Sequence, residues 1–146
     1  MNFFPIAINI ENEKILLIGG GKVASHKIPL IQKYADDITV CSGNILDEIK
    51  TMDVSIIEKD YYKDVLDPFF LVYACTDSKE VNEQIRKDCL EKKILVNLVD
   101  NPTKCQFVSP AIYRDKNISV AVTSNGENVY KSIEIRDKIK GFLEND

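Results

Sequence analysis

The feature that most narrows the folds open to this chain is the run Gly19-Gly20-Gly21, set between an apolar stretch, Lys14-Ile15-Leu16-Leu17-Ile18, and a segment from Lys22 to Tyr34. In that segment Val23, Ile28, Leu30 and Ile31 stand at intervals that suit a helix packed on a sheet. The pattern reads strand, tight turn, helix. A second β-rich run, Ile38-Thr39-Val40-Cys41, completes a unit of the size expected for half of a dinucleotide-binding fold. Val54 to Ile57, Phe69 to Ala74 and Ile94 to Val99 read as further strands, the last two apolar enough to be parallel and buried on both faces. Between those two, Lys79 to Lys93 reads as a helix capped by Asp77 or Ser78.

Past Asp100-Asn101-Pro102 the pattern changes. Gln106-Phe107-Val108 and Ile118 to Val122 are expected as two β segments, Arg114 to Asn117 as a turn, and Glu127 to Leu143 as a polar helix. The expected class is therefore α/β: a Rossmann-like parallel sheet with a small β-rich dimerisation tail and a C-terminal helix. Residues 1–103 are assigned to the nucleotide-binding domain and 104–146 to the tail, whose uncovered strand edges favour a homodimer.

Gly19, Gly21 and Ala24 fit the pattern G-x-G-x-x-[G/A]. The first glycine permits a tight turn, the second lets a pyrophosphate approach backbone, and the small third residue lets helix and strand pack closely. Gly19, Gly20, Gly21, Lys22, Val23 and Ala24 are thus the primary cofactor-binding candidates, with helix N–H groups facing the anion. The fingerprint's ribose-binding carboxylate is missing, since the second strand ends in Cys41-Ser42-Gly43-Asn44. The same stretch has no Arg for a 2′-phosphate, so the reading leans to NAD while leaving NADP open, with Gly43 and Asn44 placed near the adenosine ribose.

Composition excludes several classes. A balance of 19 Lys+Arg against 23 Asp+Glu, without a basic block, argues against a nucleic-acid binder. No basic leader precedes an apolar run and no stretch approaches ~20 apolar residues, so neither secretion nor a membrane span is expected and the cytoplasm is the expected location. Cys41, Cys75, Cys89 and Cys105 form no Cys-x-x-Cys pair, so no metal site is expected and the thiols read as small apolar residues. His26 and Lys27 read as solvated surface residues of the first helix.

Across almost its whole length the chain resembles the siroheme synthase N-terminal family, the precorrin-2 dehydrogenases, some of which are also sirohydrochlorin ferrochelatases. The resemblance rests on Pro5-Ile6, the GGGKVA turn followed by Lys27, Ala74-Cys75-Thr76-Asp77, Asn82, and Asn97-Leu98-Val99-Asp100 with Pro102. Phe107, Pro110-Ala111-Ile112 and Val120 to Gly126 continue it. It implies NAD-dependent oxidation of precorrin-2, a tetrapyrrole, to sirohydrochlorin on the way to siroheme or cobalamin. It also implies Asp100 as the catalytic carboxylate, Thr76 as a cofactor contact, and Ser124 as a residue beside the active-site loop. On the residues alone, Asp100 is equally an Asx-turn residue before Pro102, Thr76 a helix cap, and Ser124 a turn residue. The chain departs from the family in having Gly126-Glu127-Asn128-Val129 where Gly-x-Ser-Pro is common, and in ending at Asp146, where the usual helical C-terminal domain is expected to be absent. An NAD(H)-sensing regulatory module without catalysis is the alternative from a different class.

Overall fold

The computed structural model describes residues 1–145; Asp146, the last position of the expected tail, lies outside the described residues. The chain forms two compact units, one of residues 8–106, the other of residues 1–7 with those from 107 onward.

In the first unit β1 (Lys14–Gly20), α1 (Lys22–Ile31), β2 (Asp37–Ile45), α2 (Asp47–Lys50), β3 (Ser55–Ile57), β4 (Leu71–Ala74), α3 (Lys79–Glu91) and β5 (Leu95–Leu98) follow in order. The five strands make one sheet in the order β3-β2-β1-β4-β5. All four pairings are parallel. The β-branched and leucine residues that made these runs apolar are the ones buried. Leu16, Ile18, Val72, Ala74, Val96 and Leu98 pack with Ile85 and Cys89 of α3, each large aliphatic contributing about 1.5–3 kcal/mol on burial. Ser78 caps α3 by accepting from Val81 N–H at 3.2 Å. The helix closes with Ile94 N–H donating to Cys89 O at 2.8 Å and Lys93 at φ 59°.

This order reverses direction between β1 and β4, which sets a topological switch point at their carboxyl ends. Such a point is where open α/β sheets take ligands.

The second unit holds β6 (Ala111–Asp115), β7 (Ile118–Val122) and α4 (Val129–Glu144). β6 and β7 form an antiparallel pair with Asp115 opposite Ile118, and the turn is carried by Lys116 at φ 52°. The strand expected at Gln106 to Val108 is absent. Gln106 instead lies along β5, its N–H donating to Val96 O at 3.2 Å and its Oε1 accepting from Val96 N–H at 3.0 Å. Arg114 and Asp115, expected in a turn, belong to β6. Residues 1–7, assigned from the sequence to the nucleotide domain, group with the tail because Phe3 N–H donates to Asn125 Oδ1 at 2.6 Å and Asn125 Nδ2 donates to Met1 O.

Candidate functional site

The glycine turn is specified residue by residue. Gly19 has φ 122°, and a Cβ there would lie 2.3 Å from Cys75 O, so only glycine fits between β1 and β4. At Gly20 a Cβ would meet Asn44 O at 2.5 Å, because β2 continues past a register shift to pair Ile45 with Gly20. Leu46 N–H then donates to Gly20 O at 2.9 Å. Gly21 differs from both. It is extended, with φ −95° and ψ −160°, and a Cβ on it would meet nothing within 4 Å.

Gly21 lines a cleft of about 350 Å³, within the range of small-molecule sites. One wall is the glycine turn, the second the end of β2 from Ser42 to Leu46, the third the segment after β4, Cys75-Thr76-Asp77. The third wall is clamped from behind by Asn82 of α3, which is almost fully buried. Its Oδ1 accepts from Thr76 Oγ1 at 2.7 Å and from Thr76 N–H at 3.2 Å, while its Nδ2 donates to Thr76 O at 3.1 Å. All three bonds fix one residue, so the loop is held in a single conformation.

A dinucleotide's pyrophosphate fits this cradle. Gly21 heads α1 with no side-chain cap, and no acidic residue stands in the first turn. The first N–H groups of the helix are thus left to an anion. Lys22 supplies no charge to it, since its Nζ pairs with Glu48 at 3.4 Å. No group of three or more His, Cys, Asp or Glu side chains suited to a metal ion occurs among the described residues.

The sequence candidates separate accordingly. Gly19, Gly20, Gly21, Asn44 and Thr76 line the cleft. Ala24 is buried and serves packing, while Lys22 and Val23 are exposed and their side chains do not line the cleft. Gly43 does not line the cleft; it faces Asp60, whose Oδ1 lies 2.3 Å from where its Cβ would be. Ser42, Ile45, Leu46, Cys75 and Asp77 also line the cleft, although the sequence did not mark them as cofactor contacts. The apolar pair after Asn44 was the available signal that β2 runs on. Ser124 serves its turn, its Oγ accepting from Asn128 N–H at 2.8 Å.

Asp100 follows β5 at the same carboxyl edge and is exposed. No hydrogen bond or ion pair among the described residues engages its carboxylate, and Pro102, two residues on, has no N–H for an Asx turn. The local turn uses Asn101 instead, whose Oδ1 accepts from Thr103 Oγ1 at 2.6 Å. Lys27, expected in solvent, is half-buried with its Nζ 5.1 Å from the centre of the Tyr73 ring. Burial pushes its pKa down. His26 is exposed as expected. The four thiols are unpaired, and burial raises those of Cys75 and Cys89 to about 12, so they behave as small apolar groups.

Residues 6–111 match the model of a family described as NAD(P)-binding. The chain belongs to this NAD(P)-binding family. Among curated proteins, this NAD(P)-binding chain is 31% identical over 147 residues to siroheme synthase of Psychromonas ingrahamii, covering 98% of this chain and 31% of that one. It is 34% identical over 131 residues to siroheme synthase of a Psychrobacter species, covering 87% of this chain and 27% of that one. The chain thus spans about a third of the length of these relatives. A solved structure of SirC, precorrin-2 dehydrogenase, superposes with a TM-score of 0.77 over 95% of this chain and 70% of that one, at 19% identity. The resemblance and the α/β fold drawn from the sequence are both borne out.

Proposed function

We propose that this chain is an NAD-dependent dehydrogenase that converts precorrin-2 to sirohydrochlorin in the cytoplasm, on the way to siroheme or cobalamin. The observation that carries the reading is the unengaged Asp100 carboxylate at the carboxyl edge of the sheet that also bears the glycine cradle. Siroheme synthases matching almost the whole chain, and the SirC fold, support the choice of substrate.

Oxidation of the tetrapyrrole removes a hydride and a proton. Bound NAD supplies the hydride acceptor. The chain's own part is to hold the cofactor's pyrophosphate against the N–H groups at Gly21 to Val23, to fix one wall through Thr76 and Asn82, and to take the proton on Asp100. The same carboxylate is suited to accept the pyrrole protons displaced when a metal ion enters sirohydrochlorin, the second activity implied by the resemblance. A sensor of NAD(H) would have no use for it.

A homodimer belongs to this proposal. The second unit's sheet among the described residues pairs two strands, and Phe4, Tyr130 and Phe142 of that unit are exposed by 83%, 83% and 70%, unpaired edges and apolar side chains of the kind two-fold closure covers. Anaerobic incubation with precorrin-2 and NAD tests the activity. NADH and the sirohydrochlorin spectrum should appear together, and NAD binding without turnover would favour the sensor.

A further inference from the structure

We infer that Asp60, delivered from the loop after β3, selects NAD over NADP by taking the place of the carboxylate that the nucleotide fingerprint puts at the end of β2. The inference rests on the dinucleotide reading of the cleft.

β2 carries no acid of its own at Cys41-Ser42-Gly43-Asn44. The hydroxyl nearest that role, on Ser42, is spent locally, donating to Asn44 O at 2.9 Å and accepting from Asn44 N–H at 3.3 Å. Ser42 and Asn44 both line the cleft, and Gly43 between them has no side chain. Into the missing volume comes Asp60. Its Oδ1 lies 2.3 Å, and its Cγ 3.2 Å, from the position a Gly43 Cβ would take. The parallel register that sets Cys41 opposite Ile57 brings this loop to the end of β2. A glycine at 43 is thus what lets a neighbouring strand's loop supply the acid.

The carboxylate is uncommitted. It is exposed, and no ion pair or hydrogen bond among the described residues holds it. The adjoining Lys59 forms no ion pair with it, and its Nζ lies 5.9 Å from the Tyr62 ring centre. The charge of Asp60 is felt at β2, where after burial it is the next cause raising the Cys41 thiol, opposed by Lys59. A carboxylate there accepts well from ribose hydroxyls and repels a 2′-phosphate. The vacant fingerprint position therefore does not leave the cofactor unspecified.

Affinities for NAD and NADP, measured by titration calorimetry on the parent, Asp60→Asn and Lys59→Met, test the idea without requiring turnover. The parent should bind NAD at least about tenfold tighter, and Asp60→Asn, isosteric and exposed, should lose about tenfold of that ratio. Lys59→Met should keep it. Added salt should narrow the parent's ratio, because the repulsion is exposed to screening. A parent that prefers NADP, or a ratio unchanged in Asp60→Asn, would overturn the role of Asp60 while leaving dinucleotide binding intact. Failure of the parent to bind either dinucleotide would overturn the cofactor reading, and the inference with it.

Discussion

Gly19 and Gly21 stand two residues apart, yet an added methyl group has opposite consequences at the two. In Gly19→Ala the methyl meets the Cys75 carbonyl at 2.3 Å while φ is 122°. The backbone conformation costs about 1–2 kcal/mol, and overpacking against backbone that cannot rotate away adds about 1–3 kcal/mol. The sum, about 2–5 kcal/mol, is a large share of the about 5–15 kcal/mol that holds a domain together. In Gly21→Ala the methyl enters open space at φ −95°, so folding should be unchanged or improved by about 0.4–1 kcal/mol through the unfolded chain. What it should lose is NAD, since the methyl stands where the pyrophosphate approaches backbone; a tenfold loss corresponds to about 1.4 kcal/mol. Urea unfolding followed by circular dichroism reads the first effect and NAD titration calorimetry the second. The reasoning fails if Gly21→Ala is destabilised as much as Gly19→Ala, or if it binds NAD as tightly as the parent.

Three further outcomes are expected. Asp100→Ala should keep NAD affinity and lose about 10²- to 10⁴-fold in precorrin-2 turnover; undiminished turnover would remove Asp100 from the chemistry. Lys27→Met should melt higher than the parent near neutral pH. Burial lowers the folded-state pKa of Lys27 from its ordinary 10.5, so its unfavourable contribution is full below the lowered value and is lost as pH rises to 10.5; an advantage that does not shrink on that approach refutes the cause. Val129 and Ile133, one helical turn apart and exposed by 59% and 37%, should disrupt the dimer when both become Lys. A parent that light scattering finds monomeric at micromolar concentration, with full turnover, would end the dimer proposal.

The parallel sheet was legible because its central strands are nearly all apolar: Leu16 to Ile18, Leu71 to Ala74, and Leu95 to Leu98 with Asn97 as the one polar residue. The glycine turn was legible for a similar reason, since the steric demand at Gly19 admits a single residue type. The tail was harder to read. Phe107 and Val108 are apolar but form no strand, whereas β6 recruits Arg114 and Asp115, because pairing with β7 around Lys116 decides the register and hydrophobicity does not. Two features of the site escaped the sequence because they join distant segments. Asn82 is one polar residue on a helix until its side chain is seen to hold Thr76, and Asp60 is one acid in a loop until it is seen at Gly43. Lys27 was misjudged because its neighbour Tyr73 comes from a strand 46 positions later.

The bonds from Asn125 to Met1 and Phe3 also bear on the order in which the molecule is made. Residues 8–106 are contiguous and hold the whole parallel sheet, so they can collapse as soon as they leave the ribosome. The first seven residues cannot dock then, since Phe3 waits for a partner 122 positions away. Closing that contact brings together residues of high sequence separation, the kind of pairing that loop-closure entropy makes slow to form.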